Sequence, residues 1–332
     1  MKQVKTQICK KLQFGIPLKI PKGHTVLLKT MEDPLTVHTG LSLFYAMPEA
    51  LEIPRTLDKH IHGKDRERGY QESEDILALA ANAFIGGDFL DDLEALREDV
   101  ALQNAIGPKD IPDPTTAADF CRQFTLGYIL QFNRAMAEIH ERVCHLPPKM
   151  TAWTIDPDVK AQEVFGVQKE GGARNHDGIY SLQAMHSFVQ ETEEMLHCEL
   201  RRRETQPGAK AVAYLRRMKR KIPGSIKEIY LRSDSAFYNK EVIAFCEGKG
   251  WSFSITADQT APLRQLIENV AEENWREDGS NPGVWYGEVG YPSVGWSQPY
   301  RYLLRREKKE PKGGQGVLFE PLGYKYYDQS VE

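Results

Sequence analysis

Glu228-Ile229-Tyr230-Leu231-Arg232-Ser233-Asp234-Ser235-Ala236-Phe237-Tyr238 is the stretch on which the fold turns. Ile226, Ile229 and Leu231 form a short apolar approach that predicts a buried strand. That strand delivers one carboxylate, Asp234, at its end, followed by small residues and an aromatic. Residues 239–248 then carry Val242, Ile243 and Phe245 at helical spacing, and residues 251–255 (Trp-Ser-Phe-Ser-Ile) read as a second strand. Strand, helix and strand make an α/β unit, and open sheets of that kind place their chemistry at the carboxyl ends of the strands.

Upstream, residues 151–155 predict another strand, which runs into Asp156-Pro157-Asp158. If it continues through them, both aspartates point to the same face, because side chains alternate with a period of two. Pro157 marks a strand end or an edge. Carboxylates brought together on adjacent strands repel one another unless a cation neutralises them. Hard oxygen donors of this type suit Mg²⁺ or Mn²⁺, and such a site stabilises the attacking and leaving oxygens of a phosphoryl displacement. The plainer reading is that Asp-Pro-Asp is a turn and Asp234 a helix cap. Spacing alone does not bring the two strands together, so the pattern leaves function open.

Further out, residues 1–65 are irregular, with a strand-like piece at 25–28 and a helical one at 41–46. Residues 72–106 turn helical: Ile76, Leu77, Leu79, Ala80, Ala83 and Phe84 recur at helix spacing, Gly86-Gly87-Asp88 interrupts, and Asp88 is placed to cap the next helix. Helices are expected at 117–124 and 126–144, ended by Pro147-Pro148. After residue 151 strands and helices alternate. Residues 166–177 read as a glycine-rich loop, 180–188 as a strand and 209–221 as an amphipathic basic helix. Residues 261–274 read as a helix and 284–286 and 300–304 as strands. The expected domains are a helical region over 1–147, an α/β core over 148–258 and a β-rich remainder over 259–332.

The 332 residues suffice for two or three domains with a sizeable core. No window resembles a membrane span, and no apolar segment comes after the N-terminal Met1-Lys2-Gln3-Val4-Lys5. Five cysteines lie far apart with no CxxC pair, so reduced thiols and a cytoplasmic location are expected. His186, His197 and Cys198 lack a second ligand group for zinc. A formal net charge of −4 excludes a globally basic protein. Nucleic acid needs only a basic stripe, however. Arg201, Arg202 and Arg203 and the helix with Arg216, Arg217, Lys219 and Arg220 are the candidates for phosphate contact, against the alternative of a solvated helix face. Trp275, Trp285 and Trp296 with Tyr286, Tyr291 and Tyr300 are expected to pack a β-rich segment rather than stack on unpaired bases.

Leu231-Arg232-Ser233-Asp234-Ser235-Ala236-Phe237-Tyr238, a helix, and Gly250-Trp251-Ser252-Phe253-Ser254-Ile255 resemble the "RADSGFY … G-x-x-Y-x-I" segment of bacterial insertion-sequence transposases of DDE domain group 1. Upstream, Thr154-Ile155-Asp156-Pro157-Asp158 and residues 164–171 are similar to that family's "D-x-D-S-T … V-Y-G-x-Q-E-G". Arg68-Gly69-Tyr70, Gly86-Gly87-Asp88, residues 93–99, and residues 112–124 with Phe120 and Phe124 resemble its helical region. The resemblance spans residues 35–305 and implies an RNase H-like α/β core, a mixed sheet flanked by helices, with an N-terminal helical domain and a β-rich insertion.

It further implies a cut-and-paste DNA transposase. Such an enzyme recognises terminal inverted repeats in double-stranded DNA and uses Mg²⁺ or Mn²⁺ to hydrolyse a phosphodiester. The freed 3′-hydroxyl then attacks target DNA. The N-terminal helices would bind element ends or form a homodimer. Asp158 matches the first acid by its ten-residue distance to Gln168, Asp156 shares its face, and Asp234 matches the second acid. Val159-Lys160 replaces the family's Ser-Thr, and Ala236 its usual glycine. The expected glutamate helix does not appear: residues 323–327 resemble the strand before it, and Glu320 and Glu332 lack its context. A truncated transposase is therefore expected, with strand transfer by residues 1–332 alone nearly absent. The rivals are a non-catalytic DNA-binding fragment and an unrelated metal-dependent phosphohydrolase.

Overall fold

The computed structural model describes residues 35–63, 69–106, 111–166, 168, 170–174, 178–201, 210–258, 260–293, 295, 296 and 298–308, and the strands at 16–19, 25–28 and 324–331 as backbone alone. Contacts divide the chain into two units, Met1–Ala135 and Met136–Glu332.

In the first unit, β1 (Ile16–Lys19) pairs antiparallel with β2 (Thr25–Leu28). Helices come next: α1 (Leu41–Ala50), α2 (Ile53–His60), α3 (Glu72–Phe84), α4 (Leu93–Glu98), α5 (Val100–Ile106), α6 (Pro114–Arg122) and the start of α7 (Leu126–Val143). Leu41, Tyr45, Leu77, Ala81, Leu93, Leu96 and Leu102 form its main core. The helix starts have local causes. Glu74 Oε2 accepts from the Gln71 amide at 2.7 Å in a reciprocal capping box at α3. Asp113 caps α6 by accepting from Thr115 and Thr116 amides, with Pro114 in the first turn. Asp88 does not cap: Asp92 Oδ2 instead accepts from the Asp88 and Phe89 amides. Helix α2 escaped the periodicity reading because its eight residues carry few apolar positions.

The second unit holds one mixed sheet. It contains β3 (Ala152–Glu163), β4 (Ala173–Arg174), β5 (Tyr180–Val189), β6 (Glu194–Arg201), β7 (Glu228–Ser233) and β8 (Ser252–Thr256). To these it adds β9 (Arg276–Glu277), β10 (Val284–Tyr291), β11 (Tyr300–Lys308) and β12 (Tyr324–Val331). Antiparallel ladders join β3 to β5 and β5 to β6, and parallel ladders join β3 to β7 and β7 to β8. The strand order β6-β5-β3-β7-β8 is the RNase H-like arrangement that the resemblance implied. β12 then pairs antiparallel with β8, so β9 to β12 extend the same sheet.

Helices α8 (Ala211–Lys219) and α9 (Lys240–Glu247) run against the sheet, followed by α10 (Ala261–Glu268). Their apolar stripes, such as Ala211, Tyr214, Leu215 and Met218 on α8, meet the inward strand residues Trp153, Ile155, Leu231, Phe253 and Ile255 in one core. Trp275, Tyr300 and Tyr302 belong to that core, which favours the packing reading of the aromatics over base stacking. The helix expected over 261–274 ends at Glu268. The Asn269 side chain donates to the Gln265 carbonyl at 2.7 Å, and a 3₁₀ turn takes Glu272–Asn274.

A buried histidine makes this unit acid-sensitive. His140 is 3 % exposed, its Nδ1 lies 3.9 Å from Glu194 Oε2, and its Nε2 has no partner among the described residues. Burial, helped by the Lys221 charge, pulls its pKa from 6.5 to about 4. Between those values the unfolded chain takes the proton first, so stability falls as pH falls through that window. The loss reaches about 3 kcal/mol by pH 4, at 1.36 kcal/mol per pKa unit. Denaturant unfolding at pH 7 and pH 4.5 measures it, and His140→Gln flattens the difference. His197, also lowered, mainly by burial, accounts for a remainder.

Candidate active site

Strand β3 does not stop at Asp-Pro-Asp but runs through it to Glu163. Its parallel ladder to β7 ends at the Ile155↔Leu231 pair, before the proline that has no N–H to give, while β5 keeps pairing it as far as Glu163↔Ser181. Burial alternates as expected: Trp153, Ile155 and Pro157 face inward, and Asp156 and Asp158 share the other face.

Carrying the β3–β7 register three residues past Ile155↔Leu231 sets Asp158 level with Asp234. The two carboxylates feel each other. Asp234 has its pKa raised, first by partial burial of its carboxyl and then by the charges of Asp158 and Asp258, against one hydrogen bond from the Ala236 amide at 3.1 Å. That bond caps only the 3₁₀ turn Ser235–Phe237. Helix α9 is capped by Asn239, which accepts from Val242 N at 2.9 Å, so Asp234 is not the cap of the long helix. Asp158 accepts from the Val159 amide at 2.7 Å and bonds no cation among the described residues. His186 stands opposite Asp158 in the β3–β5 ladder.

Asp156 is held differently. Arg232 grips it with two bonds, Nε to Oδ1 at 2.9 Å and Nη2 to Oδ2 at 2.5 Å, and also reaches Gln190 Oε1 at 2.5 Å. A carboxylate whose charge is already neutralised by a bidentate arginine has less to offer a metal, which separates it from Asp158. Asp258, two residues past β8, escaped the sequence reading. The signal was there: like Asp234 it comes just after the end of a strand in the same strand–helix–strand unit.

Carboxylates that converge without a cation partner suit a hard divalent ion. Among the described residues no group of three or more His, Cys, Asp or Glu side chains is arranged as a complete cage. What the structure does bring together are the charges of Asp158 and Asp258, both of which act on Asp234.

The basic candidates divide. Arg217 is drawn into Glu199, with Nη2 to Oε2 at 2.6 Å and Nε to Oε1, and His197 Nε2 lies 2.9 Å from Oε1. Burial alone would raise the Glu199 pKa, but the bonds from His197 and Arg217 win and hold it at about 2. Arg201 donates to Gln183 Oε1 at 2.6 Å beneath the same network. Both are thus engaged by acceptors within the unit, although Arg217 stays exposed. Arg216, Lys219 and Arg220 remain exposed, and Arg202 and Arg203 lie outside the described residues. No helix among the described residues is long and apolar enough to cross a membrane.

The family model for transposase DDE domain group 1 matches residues 19–315. The chain belongs to this family. Among solved structures, this DDE-family chain is similar to a piggyBac transposase in a synaptic complex with hairpin DNA, at 12 % identity and a TM-score of 0.45, over 88 % of this chain and 60 % of that one. Two structures of Mos1 are also similar. A strand transfer complex has 12 % identity and a TM-score of 0.23, over 67 % of this chain and 78 % of that one. A pre-cleavage transpososome has 11 % and 0.21, over 66 % and 78 %. The chain thus spans about 60 % of the piggyBac chain. No curated protein matches it.

Proposed function

We propose that this protein is a DNA transposase of the insertion-sequence type, acting on double-stranded DNA at element ends, with Asp158 and Asp234 as its metal-binding carboxylates. The observation that carries the reading is the β3–β7 register, which, carried past its last pair, sets Asp158 within β3 level with Asp234 just past β7, two acids 76 residues apart in sequence. Family membership supports the chemistry and sets aside an unrelated phosphohydrolase.

A Mg²⁺ or Mn²⁺ ion bound there would polarise the phosphodiester and favour an ionised attacking oxygen. The chain's own residues set the stage. Asp158 within β3 and Asp234 just past β7 would hold and orient that charge. Asp258 adds to their negative field, and Arg232 ties Asp156 down so that it supports rather than competes.

DNA nicking tests the proposal. Duplexes carrying the element's ends are incubated with the protein in Mg²⁺, in Mn²⁺ and in EDTA. Nicks are expected with either metal ion and not in EDTA. DNA binding without nicking supports the non-catalytic fragment instead.

A further inference from the structure

Helices α8 and α9 enclose a cleft of about 480 Å³ lined by Arg216, Lys219, Arg220, Ala244, Phe245, Gly248 and Lys249. Four of these seven are cations and none is an acid. All four are exposed, and none is bonded to a carboxylate among the described residues. Ala244 on α9 and Gly248, the residue that ends it, keep the floor low.

A plain explanation exists for cations here, because α8 and α9 both end at this cleft and helix carboxyl ends attract positive charge. The magnitudes decide against it. Each helix end carries roughly half a negative charge, so two ends offset about one of the four cations and leave a net of about +3.

The place of the cleft matters as much as its charge. Strands β7 and β8 run parallel, and α8 ends before β7 begins, just as α9 ends before β8 begins. The cleft therefore lies by the amino ends of these strands, while Asp234 sits just past the carboxyl end of β7. β7 has six residues, which at about 3.3 Å each puts roughly 20 Å between the two ends. A phosphate in the cleft is not the phosphate at the carboxylates.

We infer that the α8–α9 cleft is a second DNA site, which holds the backbone of a duplex segment away from the bond being cut. This rests on the transposase reading for the nature of the polyanion. The cleft offers four cations spread over an apolar floor, a lining that suits backbone phosphates, and phosphate contacts position a duplex without reading its sequence.

Fluorescence anisotropy of element-end and random-sequence duplexes, across a range of salt concentrations, tests it. The variants are Arg216→Ala/Arg220→Ala/Lys249→Ala, the single Ala244→Glu that places an acid in the cleft, and a charge-matched control, Lys149→Ala/Arg264→Ala/Arg276→Ala. Each lost phosphate contact lowers the slope of log K against log salt by about 0.9, so the triple cleft variant should lose about 2 to 3. The loss is expected to be equal on both duplexes. Ala244→Glu should also weaken binding, and the control should keep the wild-type slope. Unchanged Mn²⁺ binding by the cleft variants verifies their fold. Equal slopes in wild type and cleft variants, or an equal fall in the control, would overturn the inference while leaving the transposase reading in place. Failure of the wild-type protein to bind either duplex would remove both.

Discussion

Trp153→Ala is expected to unfold the sheet-bearing unit or leave it close to unfolding. Trp153 is 0 % exposed on β3, the strand that joins the β5–β6 hairpin to the parallel β7 and β8. Removing a buried aromatic of this size costs about 3–5 kcal/mol, against a whole-domain stability of roughly 5–15 kcal/mol. The position also tests its own cause. Trp153 Nε1 is buried with no hydrogen-bond partner among the described residues. Trp153→Phe therefore loses volume but also sheds an unsatisfied donor, whose burial costs about 1–3 kcal/mol. Denaturant unfolding should show the alanine variant destabilised by several kcal/mol and the phenylalanine variant much less. Similar midpoints for wild type and Trp153→Ala would mean that β3 does not anchor this core.

Asp234→Asn should slow metal-dependent nicking by about 10³ in rate. The asparagine keeps the size and the hydrogen bond from Ala236 but loses the charge that holds the cation. Metal stabilisation of the transition state is worth several kcal/mol, and about 4 kcal/mol corresponds to that factor. Burial first, and then the charges of Asp158 and Asp258, already disfavour a charged Asp234, so a neutral asparagine should be tolerated by the fold. An Asp234→Asn enzyme that nicks as fast as its parent would show that the assignment is wrong.

Local pattern carried much of this architecture. The strand–helix–strand unit around Asp234 was legible because Ile229, Leu231, Val242, Ile243, Phe253 and Ile255 alternate or recur as their elements require, and all six are buried in one core. The limits of sequence reading are those of long-range pairing. Asp156 and Asp158 look equivalent in the chain, and only the grip of Arg232, 76 positions away, separates them. Arg217 looks like its neighbour Arg216 until Glu199 on β6 captures it. Lys249 is a lone cation in a Gly-Lys-Gly turn, and it joins the basic cleft only because α9 ends beside α8. The joining of β12 to β8, which makes the C-terminal strands an extension of the core sheet, links residues more than 70 positions apart and left no local trace.

The shared cation is the point on which everything else depends, and Mn²⁺ titration followed by electron paramagnetic resonance reads it without requiring turnover. The account predicts that wild-type protein binds Mn²⁺ and that Asp158→Asn and Asp234→Asn each weaken binding by about tenfold or more, since even residues that only support a metal ligand cost 10- to 100-fold when lost. Asp156→Asn, removing a carboxylate already held by Arg232, should cost clearly less. Undiminished Mn²⁺ binding by an Asp158→Asn/Asp234→Asn protein would contradict the account.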